Sequence, residues 1–195
     1  MSKTPTKTPE SCQQFSPKDL MSPNKDSTGL AKTIFTHLTN IHSFLNKWIK
    51  VCEKGTKIVR SISTLRLYEY NSDDFYPHQL TTLTQDLLEA SSALSDIVDG
   101  IQILNDQLQA LAKLQPTDLP IINTWSASHI SSQVSTLYLS LEKEYKLKQV
   151  ITENIAHCRD ENLIEVYASA WEYSVYFNME SNSYLFAEVG LSGIL

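Results

Sequence analysis

The histidines and serines of this chain that could support catalysis are not spaced to work together. His37 and His42 are five residues apart, so they do not share a helix face well, and we interpret them as surface residues rather than metal ligands. Ser128 and His129 are neighbours in sequence, which is not the geometry of a nucleophile and its base, and no glycine-containing oxyanion loop accompanies them.

Carboxylates, glycines and cysteines are scattered in the same way. Glu142 and Glu144 point apart on a helix, which argues against paired acid–base chemistry. The 5 glycines are not clustered into a phosphate-binding loop. The 3 cysteines (Cys12, Cys52 and Cys158) have neither zinc-site nor disulfide-framework spacing, which indicates a reducing compartment. We therefore expect no enzyme activity, no cofactor and no metal.

Composition indicates one ordinary domain in the cytosol or nucleus. Charged residues make up 19% and hydrophobic residues 42% of the 195 positions, and no apolar run approaches the roughly 18 residues of a membrane span. The net charge of −6 argues against direct binding to nucleic acid. Residues 29–70 carry seven Lys/Arg and two acids, whereas 71–115 carry seven acids and one Lys, so we expect these segments to lie side by side.

The prolines divide the chain into a tail and three long blocks. Residues 1–28 are rich in Ser, Thr, Pro and Lys, with few large apolar side chains, which predicts a disordered tail. Ser/Thr-Pro pairs in this tail resemble targets of cyclin-dependent kinases, although such pairs are also common in any disordered tail. The phosphorylation candidates are Thr4, Thr8, Ser16 and Ser22.

The first two blocks repeat apolar residues with heptad spacing. The first repeat is Leu38, Ile41, Leu45, Trp48, Cys52, Gly55, Val59 and Ile62; the second is Leu80, Leu83, Leu87, Ala90, Leu94, Ile97, Ile101, Leu104, Leu108 and Leu111. A short link predicts an antiparallel hairpin. Gly55 lies on this seam of apolar residues. It either lets another backbone or a bulky ring approach closely or marks a bend in the helix, and we favour close approach.

The apolar surface of α2 in this hairpin is wider than one partner helix can bury, since Leu88 and Val98 flank its heptad positions. The third block is the intramolecular candidate for covering this surface, and an external helical partner is the other. Ser126 or Ser128 is the expected N-cap of the third block, and Asp160 caps a shorter helix after it. A last short helix between Ser183 and Gly190, or a strand over 173–177, remains open. The predicted fold is all-α: an elongated antiparallel hairpin or coiled-coil bundle in one domain over 29–195, with helices over 29–70, 78–115, 127–157 and 160–172.

The seam of the third block is interrupted by charge. Apolar residues stand at Val134, Leu137, Leu141, Ile151 and Ile155, and the gap between them holds Glu144 and Lys148 on the same stripe. The pair is spaced i,i+4, and an exposed pair of this kind contributes only about 0.3–0.5 kcal/mol. We weigh a solvated face evenly against a partner contact for Lys143, Glu144 and Lys148.

The segment from Thr124 to Tyr176 carries aromatic, charged and apolar residues at many fixed spacings. These residues are Thr124, Trp125, His129, Leu137, Lys143, Glu144, Leu147, Lys148, Ala156, His157, Asp160, Leu163, Tyr167, Ser169, Trp171 and Tyr176. At these positions, without a gap, the segment resembles the cyclin-dependent kinase 2-interacting protein family. Ser126 and Val175 stand where the family pattern has proline.

The resemblance implies a non-catalytic adaptor in the nucleus, with the cytoplasm also open. Its implied partners are a cyclin-dependent kinase, the Cdc7 kinase, the checkpoint kinase ATR with ATRIP, and a small helical subunit in an assembly with AAA ATPases. That assembly acts at chromatin and in large-subunit ribosome maturation. The partner-binding candidates are Trp125, His129, Lys143, Glu144, Lys148, His157 and Trp171, although the tryptophans and histidines could instead close the ends of the third block. The alternative is a cytoplasmic coiled-coil tether or structural subunit.

Overall fold

The computed structural model describes residues 29–68, 78–115 and 118–191, and within them the chain is α-helical. The helices are α1 (Gly29–Tyr68), α2 (His78–Leu114), α3 (Ala127–Asn154), α4 (Glu161–Glu172) and α5 (Met179–Glu188). The predicted all-α class is confirmed. The tail with Thr4, Thr8, Ser16 and Ser22 lies outside the described residues.

The helices pack antiparallel around one core. Phe44 of α1 contacts Gly100 of α2, and Ser135 of α3 donates a hydrogen bond of 2.8 Å to the buried Asn105 of α2. The pairs α1–α2, α2–α3, α3–α4 and α4–α1 all pack against each other, which closes a ring. The architecture is therefore an up-down-up-down bundle in which α4 and α5 together form the fourth member.

The core follows the heptad pattern closely. Leu38, Trp48, Leu94 and Leu141 are among its fully buried residues, and α3 covers the hairpin as expected. Leu88 is an exception, since it is 51% exposed and does not widen the apolar line, whereas Val98 is buried. The α-helical period of 3.6 residues drifts from the heptad period, so a residue flanking the seam can rotate out of the core.

Local signals set most of the helix ends. Ser126 accepts a hydrogen bond from the His129 backbone N–H at 3.3 Å, and Asp160 accepts from Asn162 and Leu163, so both predicted N-caps are present. The last helix ends near Gly190, whose φ of 73° favours glycine, but it begins at Met179 with Asn178 as N-cap. The predicted start at Ser183 is wrong, and residues 173–177 form no strand.

Ion pairs and a carboxylate contact fasten the fourth member to the rest of the bundle. The Arg60 guanidinium of α1 contacts Glu165 at 2.7 Å and Glu172 at 2.6 Å, so this residue of the basic segment pairs with α4 rather than with acidic α2. At the other end, the Glu188 carboxylate accepts hydrogen bonds from the Thr124 hydroxyl at 2.9 Å and the Trp125 backbone N–H at 3.0 Å. α4 is thereby attached to α1, and the end of α5 is attached to the segment that precedes α3.

Candidate protein-interaction site

The charged pair in the α3 seam lies inside the bundle. Glu144 and Lys148 are both 0% exposed, and the Lys148 Nζ lies 3.0 Å from the Glu144 Oε1. Steps from Leu141 to Glu144, Lys148 and Ile151 are 3, 4 and 3, so the pair continues the heptad seam. The expected exposed position of the pair is wrong.

The structure of the fourth member of the bundle explains why Glu144 and Lys148 are buried within the α3 seam. Its helix is interrupted at residues 173–178, directly opposite the pair. Lys148 donates a hydrogen bond of 2.7 Å to the backbone carbonyl of Trp171, in the last turn of α4, and the Tyr176 N–H donates one of 2.7 Å to the Glu144 Oε2. A broken helix leaves backbone groups without partners, and here buried side chains supply them.

The charges of Lys148 and Glu144 complement the backbone groups that each of them contacts at the interruption of the fourth helix. The ammonium of Lys148 lies at the C-terminal end of α4, where the helix dipole is negative, and 5.0 Å above the ring of Trp171. The Glu144 carboxylate accepts from the chain that leads into α5. In this arrangement the two residues bind the protein's own fourth helix, so they present no surface to a partner.

Trp171 is likewise a core residue. It is 1% exposed, its Nε1 donates to the Cys52 carbonyl at 3.4 Å, and its ring lies against Gly55 of α1. A Cβ built on Gly55 would lie 2.4 Å from the Trp171 Cζ2. The predicted close approach at Gly55 is therefore confirmed, and Trp171 is as inaccessible to a partner as Glu144 and Lys148 are.

The other predicted contact residues are accessible but distributed along α3. Trp125 is half-buried and its ring packs edge-on against the exposed His129, with centroids 4.4 Å apart. Lys143 is exposed near the middle of the helix, and His157 is exposed beyond its C-terminal end. Helical rise places Lys143 about 21 Å from His129 along the axis and the end of the helix at Asn154 about 38 Å from it, with His157 beyond that end. Only Trp125 and His129 form a cluster, and the partner-binding role of these four residues stays a prediction.

The interruption of the fourth helix also leaves a groove that the sequence did not reveal. We call it the break groove; its volume is about 950 Å³. The floor is formed by Trp48 and Phe177, which pack edge-on at 6.4 Å and are 1% and 4% exposed. Its apolar rim is exposed: Tyr173 by 68%, Val175 by 58% and Tyr176 by 53%. The further lining residues include Ile49, Cys52, Glu53, Lys57, Glu172 and Met179.

The thiol of Cys52, which lines this groove, has low reactivity. Burial raises the pKa of Cys52 to about 12, and although nearby Lys148 lowers it, Glu144 acts in the opposite direction. A thiol with this pKa carries almost no thiolate at neutral pH and is a poor nucleophile. The groove is thus suited to contact rather than to covalent chemistry.

Within residues 29–68, 78–115 and 118–191, no group of three or more His, Cys, Asp or Glu side chains could hold a metal ion. No helix in this part of the chain combines the length and the apolar character needed to cross a membrane.

Comparison with known proteins supports the resemblance seen in the sequence. The chain is similar to the cyclin-dependent kinase 2-interacting protein of Bos taurus, with 22% identity over a 187-residue alignment that covers 81% of this chain and 86% of that protein. No family model matches the chain. The similarity extends well beyond Thr124–Tyr176, since it covers most of both proteins, and it supports a relationship to this protein.

Proposed function

We propose that the protein is a non-catalytic helical adaptor that binds other proteins, a cyclin-dependent kinase among them. The observation that carries this proposal is the similarity, over most of both chains, to a protein whose name states that it interacts with cyclin-dependent kinase 2. The bundle is a suitable scaffold, because its core is closed by its own four members and its exposed helix faces remain available for contact.

The resemblance extends the proposal to a larger assembly. We propose that the protein acts in the nucleus beside a small helical subunit and AAA ATPases, in chromatin replication and in maturation of the large ribosomal subunit. The Cdc7 kinase and the ATR–ATRIP checkpoint kinase are further proposed partners. The tail residues Thr4, Thr8, Ser16 and Ser22 would then be substrates of a kinase that the bundle recruits.

The candidate surface for contact with the kinase consists of those predicted partner-binding residues that are accessible to solvent. Trp125 and His129 form an aromatic pair at the start of α3, and aromatic side chains are frequent binding hot spots. Lys143 adds an exposed positive charge on the same helix. Glu144, Lys148 and Trp171 leave this set because they are buried.

Direct binding to purified cyclin-dependent kinase 2 with its cyclin tests the proposal. We expect the full-length chain to bind in biolayer interferometry, and we expect Trp125→Ala with His129→Ala to weaken binding at least tenfold. Lys143→Glu should weaken it less, and Lys113→Glu, the same charge change on an exposed part of α2, should have no effect. No binding of the wild-type chain at tens of micromolar would refute the kinase partner.

Affinity purification from cells distinguishes the proposed adaptor function from the alternative function as a cytoplasmic coiled-coil tether. Recovery of AAA ATPases with a small helical subunit would support the proposed assembly. Recovery of only vesicle or cytoskeletal proteins would favour the tether.

A further inference from the structure

Glu188 lies where a carboxylate is unfavourable for the helix that carries it. It is the last residue of α5, and the helix dipole is negative at that end, so an acidic side chain there opposes the dipole. Leu185, Phe186 and Val189 are buried and already attach α5 to the core. Neither helix formation nor burial therefore accounts for an acidic residue at this position.

The Glu188 carboxylate is instead bound by the loop that precedes α3. Its Oε1 atom accepts one hydrogen bond from the Thr124 backbone N–H, one of 2.9 Å from the Thr124 hydroxyl and one of 3.0 Å from the Trp125 backbone N–H. Hydrogen bonds to a charged acceptor are roughly twice as strong as those between neutral groups. A single oxygen atom thereby holds two consecutive residues of the loop.

The loop also binds the end of α5. The Asn123 side chain donates a hydrogen bond to the backbone carbonyl of Glu188, which is among the carbonyls that a helix leaves without a partner at its C-terminal end. Asn123 has a φ of 45°, in the left-handed region that asparagine tolerates better than most residues. The Ile121 N–H donates to the Trp125 carbonyl at 2.9 Å, which closes the loop on itself. The loop and the last turn of α5 are therefore one hydrogen-bonded unit.

This unit leads directly into the aromatic pair at the start of α3. His129 lies in the first turn of the helix, and its backbone N–H is held by the N-cap Ser126. Trp125 lies just before the N-cap, and its ring meets the His129 ring edge-on with centroids 4.4 Å apart. Because the helix fixes His129, the position of the Trp125 backbone decides whether the two rings meet.

We propose that Glu188 is a positioning residue for the Trp125–His129 pair, through which α5 sets the geometry of the surface proposed for contact with the kinase. α5 has 10 residues and would be marginally stable alone, so it depends on contacts such as those with the loop. Coupling between sites is reciprocal, so a partner that binds the aromatic pair should also stabilise α5. The inference rests on the proposed adaptor function, since it concerns the same surface.

Acrylamide quenching of tryptophan fluorescence tests the positioning without any partner. The chain has 3 tryptophans, and Trp48 and Trp171 are each 1% exposed, so the quencher reaches chiefly Trp125 in the folded protein. We expect Glu188→Ala to raise the quenching constant towards that of free tryptophan, because the loop loses the acceptor that holds it against α5. An unchanged quenching constant in this variant would overturn the proposal.

Three further variants separate the carboxylate from general effects. Glu188→Gln keeps an acceptor oxygen in place and should be quenched as the wild type is; quenching as strong as in Glu188→Ala would overturn the proposal. Glu180→Ala removes an exposed carboxylate from the first turn of α5 and should have no effect.

Phe186→Leu is the control for stability, since it weakens the packing of α5 but leaves the carboxylate. It should lower the midpoint of urea unfolding without raising the quenching constant in buffer. An increase in quenching as large as in Glu188→Ala would overturn the assignment to Glu188, because only the stability of α5 would then matter. Circular dichroism establishes that each variant keeps its helix content.

Binding to purified cyclin-dependent kinase 2 with its cyclin tests the consequence for a partner. We expect Glu188→Ala to weaken binding roughly tenfold in biolayer interferometry, because it displaces an aromatic contact residue, and Glu188→Gln to weaken it less. In the wild-type complex, the amides of α5 should exchange hydrogen more slowly than in the free chain. Wild-type affinity in Glu188→Ala would overturn the positioning role. If the wild-type chain does not bind the kinase while Glu188→Ala still exposes Trp125, the kinase partner alone is refuted.

Discussion

Lys148 of α3 donates a hydrogen bond of 2.7 Å to the backbone carbonyl of Trp171, in the last turn of α4. With the bond from the Tyr176 N–H to Glu144, it places a buried ion pair directly opposite the interruption in the fourth helix. Side chains of one bundle member thus replace the backbone hydrogen bonds that another member lacks. The cost of burying two charges is offset because both also bind backbone groups.

Removal of either charge alone should destabilise the protein strongly. We expect Glu144→Ala or Lys148→Ala to lower the free energy of unfolding by about 3–5 kcal/mol, because the remaining charge is buried without its partner. Urea unfolding followed by circular dichroism measures this loss. Glu144→Lys should be at least as damaging, so lost partner binding by that variant would report misfolding rather than a broken interface.

The paired replacement Glu144→Leu with Lys148→Met is the matched control. It leaves no isolated charge, so it should cost less than the sum of the two single changes. A single variant that unfolds at the wild-type urea concentration would show that the pair is solvated in solution.

Gly55 should not accept a side chain while Trp171 is present. Alanine would gain roughly 1 kcal/mol of helix propensity, but its Cβ would lie 2.4 Å from the fully buried Trp171 ring. Overpacking of this severity costs about 1–3 kcal/mol, and we expect a net loss in the Gly55→Ala variant by urea unfolding. In a Trp171→Leu background the same change should be neutral or stabilising. Destabilisation of equal size in both backgrounds would contradict the ring contact.

Acid should weaken the contact between α1 and α5. His42, which its spacing placed at the surface, is partly buried: burial lowers its pKa from 6.5, and its ring packs edge-on against Phe186 of α5 at 5.2 Å. A histidine whose pKa is lower in the folded protein favours the neutral form, so its stabilising contribution is present above pH 6.5 and is lost as the pH falls below that value. We expect His42→Phe to reduce the difference in melting temperature between pH 7.5 and 5.5.

Part of that acid sensitivity should remain in the His42→Phe variant, because burial also lowers the pKa of His37. Replacement of both histidines should reduce the difference further. An unchanged pH dependence in the double variant would show that neither ring is buried in solution.

Cys52 should resist alkylation while the protein is folded. With its pKa at about 12, the thiolate fraction at pH 7.5 is lower by about three orders of magnitude than for a free cysteine. We expect iodoacetamide to label Cys52 at least a hundredfold faster in urea than in buffer, as measured by peptide mass mapping. Equal labelling rates in urea and in buffer would mean that the Cys52 thiol is open to solvent in the folded protein.

The sequence was sufficient for features that depend on one segment at a time. The heptads through Leu45 and Leu94 predicted the hairpin, and Ser126 and Asp160 marked true N-caps, because periodicity and capping are local properties. The close contact at Gly55 could also be predicted from the sequence. A glycine within a helix lowers helix propensity, so its presence on a buried seam indicates that a neighbouring group needs the space.

The burial of charge on α3 depends on a second segment, which the sequence of α3 does not show. Charge on the seam of α3 indicates an exposed position for Glu144 and Lys148, because α3 alone does not show that the opposing helix is interrupted at residues 173–178. The break groove was missed for the same reason: Tyr173, Val175 and Tyr176 have no helical period, and the space beside them is set by α1. A helix interruption opposite charged seam residues is the signal that would have identified both.

Hydrogen exchange at the Tyr176 amide tests the central claim that the buried pair holds the interrupted fourth helix in place. In the wild-type protein we expect this amide to exchange slowly, and in Glu144→Leu with Lys148→Met we expect residues 172–178 to exchange much faster while residues 87–108 of α2 stay protected. If the wild-type Tyr176 amide exchanges as fast as in an unfolded chain, Glu144 does not bind it and the account is wrong.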